Sequence, residues 1–129
     1  MILAQDVSKH FDDVEAVKNV SVTIKKGEVF GLIGTNGAGK STFLRMVSGV
    51  LKPDHGTIRI DEKEVYENPV TKGNLFYISD DQYYAPTTTP EEGMQFYKLF
   101  YKDFDTNRFM KMLDQFGLDK KRKISTFSK

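Results

Sequence analysis

The 129-residue chain contains no cysteine and no tryptophan. Without thiols, a disulfide framework and a thiolate metal site are both excluded, and the cytoplasm is the expected compartment. A charge of one sign is missing too. With 19 Lys plus Arg against 18 Asp plus Glu the net charge is +1, so the basic footprint of a nucleic-acid binder is absent and no nucleic-acid partner is expected. The longest apolar run, counting glycines, is 29–34, far short of the roughly 18–20 residues that cross a bilayer. The opening residues 1–6 lack the basic start and long apolar middle of a secretory signal. Two histidines, His10 and His55, stand apart in sequence and read as exposed loop residues rather than metal ligands.

What is present suffices for a folded domain. Hydrophobic residues make up 39% of the chain, enough to build one core in a chain of ordinary domain length. β-branched, alternating segments predict strands at 2–7 and 20–24. Segment 28–33 carries Val29-Phe30-Gly31-Leu32-Ile33 without alternation, the pattern of a central strand buried on both faces. A helix is expected over 39–50, with Phe43, Met46, Val47 and Val50 on one face. Pro53-Asp54-His55-Gly56 reads as a turn, followed by a hairpin of 57–60 with 64–65 and a further buried strand at 75–78. Thr89-Pro90-Glu91-Glu92 is a capping box with proline at the first helical position, predicting a helix to about 104. A second helix should span about 107–116, capped by Asp105 or Thr106 and stopped by Gly117. The organisation is therefore an α/β front, 1–84, a helical part, 85–123, and a short tail, 124–129.

Gly34-Thr35-Asn36-Gly37-Ala38-Gly39-Lys40-Ser41-Thr42 matches GxxxxGK[ST], placed between an apolar strand-like run and a helix. The residue types suit phosphate. Gly37 and Gly39 tolerate positive φ, so backbone N–H groups, those of Asn36 and Ala38 among them, can curl around a phosphate. The helix start adds its partial positive charge. Lys40 would reach the β- and γ-phosphates, Ser41 would hold Mg²⁺, and Thr42 would support the α-phosphate. The implied ligand is a nucleoside triphosphate with magnesium, and the loop alone does not choose ATP over GTP.

The loop and its flanks resemble the nucleotide-binding subunit of ATP-binding cassette (ABC) transporters, through His10-Phe11-Asp12-Asp13, Ala16-Val17, Asn19-Val20-Ser21 and Lys26-Gly27-Glu28. The resemblance implies a P-loop NTPase core of the ABC type with an antiparallel β subdomain and a helical subdomain. It assigns ATP as the nucleotide, with Phe11 stacking on adenine, where the alternative is a core phenylalanine. Thr35 replaces the proline usual in that loop. A glutamine that touches Mg²⁺ and the attacking water is expected after the 75–78 strand. Here Asp80 occupies the aligned position and Gln82 follows, so both are candidates, with loop capping the alternative for Asp80. Phe127-Ser128-Lys129 is similar to the first half of the family signature. The rest of that signature and the catalytic aspartate-glutamate strand do not occur in 1–129, so the chain is expected to be cut at the signature, to bind nucleotide weakly and not to turn it over.

As a whole subunit, the resemblance implies an ATPase docked on a transmembrane partner, with a second copy head to tail. Two other readings are a compact P-loop kinase or GTPase, with Asp80 and Asp81 as magnesium ligands, and a soluble ABC-type ATPase without a transport role. Phe96, Tyr97, Phe100, Tyr101 and Phe104 cannot all share one helix face, so some must point outward or into a partner. The run Lys120-Lys121-Arg122-Lys123 reads as a solvated charge cluster.

Overall fold

A computed structural model describes residues 1–79 and 84–127. They belong to two compact units, Met1–Tyr77 and Ile78–Lys129.

The first unit is organised by one long antiparallel hairpin. Strands β1 (Ile2–Phe11) and β2 (Val14–Ile24) pair from Ile2↔Ile24 to Phe11↔Val14. Both run well past the expected 2–7 and 20–24. Irregular register conceals their continuity in the sequence, because bulges break the two-residue alternation. Asp6 and Asn19 sit at positive φ, 49° and 43°. Their amides are taken by the hydroxyls of Ser21 and Ser8, each at 2.8 Å, in place of a regular ladder. Strand β3 (His55–Ile60) pairs with the other edge of β1, and β4 (Lys63–Glu64) with β3, giving the order β2-β1-β3-β4. The two histidines therefore lie in strands, not loops: the 55–60 strand starts two residues earlier than expected because His55 pairs with Ser8.

Helix α1 (Lys40–Val47) buries Phe43 and Met46, three residues apart on one face, in the core with Ala4, Val7, Val17, Ile58 and Val65. Met46 and Val7 are fully buried, each removing apolar surface worth about 1.5–3 kcal/mol. The helix stops short of the expected residue 50. Gly49 takes φ 69° and Val50 is exposed, so the chain turns before a further turn of helix can form. A short helix not anticipated, α2 (Pro69–Lys72), starts where Asn68 Oδ1 accepts the amide of Thr71 at 3.2 Å.

Segments 28–33 and 75–78 correct the expectation of buried central strands. Neither is a strand, and Val29 and Ile33 are 101% and 96% exposed. A strand buried on both faces draws its backbone hydrogen bonds from neighbours on either side. Among the described residues no strand pairs with either segment; the amides of Glu28 and Leu75 donate only to nearby turn carbonyls, Lys25 O at 3.3 Å and Lys72 O at 3.0 Å, and Leu75 packs on the edge of the core.

In the second unit, α3 (Pro90–Phe100) starts on the expected capping box. The amide of Glu92 reaches Thr89 Oγ1 at 3.3 Å, and the amide of Thr89 reaches Glu92 Oε2 at 2.8 Å. It ends at 100 rather than 104, because Tyr101 is already extended and residues 101–105 must turn back to Asp105. Asp105 caps α4 (Thr106–Gln115) by accepting the Arg108 amide at 2.9 Å. Backbone bonds Glu91 N to Lys120 O and Ile124 N to Thr88 O tie the tail to the start of α3. Phe96 and Phe100 are exposed, with ring centroids 4.9 Å apart, so part of the aromatic cluster does point outward. Tyr97 borders a cleft of about 470 Å³ with Tyr84, and burial followed by its hydrogen bond to Tyr84 pushes its phenol up. Among the described residues no helix is long and apolar enough to cross a membrane.

Candidate functional site

The glycine-rich loop leads into α1. Gly37 and Gly39 both take φ 83°, in the left-handed region where a side chain is strained. They differ in surroundings. Around Gly37 there is open space, whereas a Cβ on Gly39 would lie 2.1 Å from the carbonyl oxygen of Ala16 on β2. The loop thus rests directly on the hairpin, a contact that motif spacing alone does not reveal.

Gly39 is also the N-cap of α1 and has no side chain to take the helix's first amides; the first bond back to it comes from Phe43, at 2.8 Å. No acidic residue stands in the first turn, so the positive end of the helix is not neutralised there. Lys40 adds its ammonium, which donates to the carbonyls of Gly34 at 2.8 Å and Thr35 at 2.6 Å. Neutral carbonyl partners leave that charge uncompensated. Asn36, Ala38 and Ser41 are exposed, and Thr42 is half-buried. A cleft of about 340 Å³ runs between this loop and β2, bordered by Glu15, Val17, Lys18, Leu32, Ala38 and Lys40.

Phe11 does not border that cleft. It ends β1 at the hairpin tip, 45% exposed, with Lys9 Nζ 5.7 Å from its ring centroid. Around it lies a charged cluster that sequence reasoning missed. Asp54 accepts from Lys9 Nζ at 2.6 Å and from the His10 amide at 2.7 Å, while His10 Nε2 stands 3.5 Å from Glu15 Oε1. The Lys9 hydrogen bond, then the His10 amide, hold the Asp54 carboxyl below its usual range. In the sequence Asp54 signalled only a turn. Asp80 and Gln82 lie outside the described residues, as do Asp81 and Ser128-Lys129.

The geometry provides one electropositive, backbone-rich concavity, suited to a polyanion and seated on a β hairpin. Comparison with known proteins agrees with that architecture. The ABC transporter family matches residues 17–129. The ABC transporter ATP-binding protein YtrB of Bacillus subtilis is 31% identical over 128 residues, 99% of this chain and 44% of the relative. The solved structure of an ATP-binding subunit of an ABC transporter superposes with a TM-score of 0.82 at 24% identity, covering 99% of this chain and 56% of that one. A bacterial ABC transporter cassette solved as a dimer gives 0.72 at 22% identity, over 99% and 63%. The chain thus spans about half the length of the relatives it matches, and likeness at these identities bears on the fold. These matches set aside the compact kinase or GTPase reading. With most of its length inside the family match and the phosphate-loop geometry in place, the chain belongs to the ABC transporter family.

Proposed function

We propose that this chain is the nucleotide-binding portion of an ATP-hydrolysing subunit that powers a transporter. The observation that carries the reading is the loop itself: two glycines at φ 83°, an uncapped helix start, and the Lys40 ammonium resting on neutral carbonyls. Those bonds to neutral carbonyls can be exchanged for bonds to phosphate in which donor and acceptor are both charged, and which add the ion-pair attraction. Lys40 moves to the β- and γ-phosphates, the loop amides from Asn36 to Gly39 surround the β-phosphate, and Thr42 supports the α-phosphate. The donor set fits Mg²⁺-ATP: an exposed Ser41 hydroxyl at the helix start is the magnesium ligand in this unit. When bound, the ion neutralises phosphate charge.

Phe11, half exposed at the hairpin tip, is assigned to the adenine face. Asp80 and Gln82 remain the two candidates for contact with magnesium and the attacking water. YtrB is named an ABC transporter ATP-binding protein and the solved cassette is a dimer. The name supports work with a transporter and the dimer supports a second copy; the proposal adds a cytoplasmic place on a transmembrane partner and head-to-tail pairing. Residues 1–129 by themselves are proposed to bind nucleotide weakly and without turnover, since segment 28–33, which leads directly into the loop, pairs with no strand among the described residues.

The test is calorimetric titration of the full-length protein with Mg²⁺-ATP. Lys40→Ala should weaken binding at least about tenfold, the equivalent of one lost charge-assisted bond. Binding indifferent to Lys40 would overturn the reading.

A further inference from the structure

On the side away from β2, the residues leading to Phe11 are held by one residue of the turn before β3, Asp54. The β1–β3 ladder shifts register between Gln5 and Ser8, and its last pair is Ser8↔His55. Beyond that point, residues 9–11 have a partner strand only on the β2 side. Asp54 occupies the vacated side. Its amide donates to Ser8 O at 2.9 Å, its Oδ1 accepts from Lys9 Nζ at 2.6 Å, and its Oδ2 accepts from the His10 amide at 2.7 Å. Three consecutive residues of β1 are gripped by one residue of the turn that enters β3.

The grip extends to the aromatic ring through Lys9. Its side chain is only 14% exposed, its charge is matched by Asp54, and its ammonium stands 5.7 Å from the Phe11 centroid. A cation held over one face of a ring is attracted by the π-density, so the pair covers that face and favours one orientation of the ring. The uncovered part of Phe11, which remains 45% exposed, is then available to a flat base.

We propose that Asp54, acting through Lys9, is a positioning residue that presents Phe11 to the base of the bound nucleotide. The proposal rests on the assignment of Phe11 to the adenine face given above. Asp54 touches no part of the nucleotide in this scheme; it removes the freedom of the strand end and of the ring before binding, so that less order has to be gained on binding.

Two ligands separate this role from general support of the fold: Mg²⁺-ATP, and inorganic tripolyphosphate, which keeps the phosphates but has no base. Both are titrated into the full-length protein and its Asp54→Asn, Lys9→Met, Phe11→Ala and Lys40→Ala variants, with folding checked by circular dichroism. Asp54→Asn should weaken ATP about three- to tenfold, a part of what a base stack is worth, and leave tripolyphosphate unchanged. Added to Phe11→Ala it should have no further effect. Lys9→Met should reproduce the ATP-selective loss, and it carries the test if Asp54→Asn does not fold. Equal weakening of both ligands by Asp54→Asn and Lys9→Met, or weakening of neither, overturns the positioning role. If Phe11→Ala fails to reduce the preference for ATP over tripolyphosphate, the base assignment itself falls, and the positioning role with it. If Phe11→Ala reduces that preference while the other two variants do not, only the positioning role falls. Lys40→Ala, weakening both ligands, reports on the phosphate loop independently.

Discussion

The β1–β2 hairpin and segment 28–33 follow one another along the chain and share β-forming residues, yet their fates are opposite. The hairpin pairs from end to end, Ile2↔Ile24 to Phe11↔Val14, although its ladder is interrupted around the polar residues Gln5 and Asp6. Segment 28–33 is more apolar and leaves Val29 and Ile33 in solvent. Hydrophobicity alone does not bury a strand. Antiparallel neighbours joined by a tight turn carry their own ladder, so the pairing is encoded locally. A strand of the parallel type depends on neighbours distant in sequence, and among the described residues none pairs with 28–33.

The sharpest way to break this comparison is a pair of substitutions measured by chemical denaturation of residues 1–129. Met46→Ala, on the helix packed against the laddered sheet, should cost about 2–5 kcal/mol because Met46 is fully buried. Val29→Thr should stay within about 0.5 kcal/mol, as exposed positions do. A comparable loss at Val29 would mean that the segment is packed in solution and that the contrast is wrong.

A smaller effect distinguishes the two loop glycines, which share φ 83° but not surroundings. Gly37→Ala should lose about 1–2 kcal/mol, the strain of a left-handed residue. Gly39→Ala bears the same strain and in addition pushes its methyl into the Ala16 carbonyl, so its loss should exceed that of Gly37→Ala. Equal losses in thermal or denaturant melts would show that the loop does not rest on β2.

The smallest effect is the pH dependence of the clamp at the hairpin tip. Hydrogen bonds from Lys9 and then from the His10 amide lower the Asp54 pKa from its ordinary 3.8. Its contribution to stability is therefore fully present above that value, and is lost as the pH falls through the lower folded value. The acid limb of a stability–pH curve should be shallower in Asp54→Asn than in the unaltered protein. Identical limbs would remove Asp54 from the forces holding that strand end.

Much of the site could be read from the chain because its determinants are local. The positive φ at Gly37 and Gly39, the helix opening at Lys40, and the Thr89 capping box all follow from residues within a few positions of one another. The strand lengths could not be read, because bulges at Asp6 and Asn19 break the alternation on which such readings rest. Nor could the role of Asp54, whose three β1 partners are more than forty residues away in sequence.

By itself the sequence determined the loop, its flanking helix, the caps of α3 and α4, and the family resemblance, since each is written in contiguous residues. Only the tertiary structure decided that Gly39 abuts Ala16, that Asp54 grips the strand bearing Phe11, and that 28–33 has no ladder among the described residues. The reason is physical. A motif records which atoms are available, whereas contacts between distant segments depend on register, and register is set by the whole sheet at once.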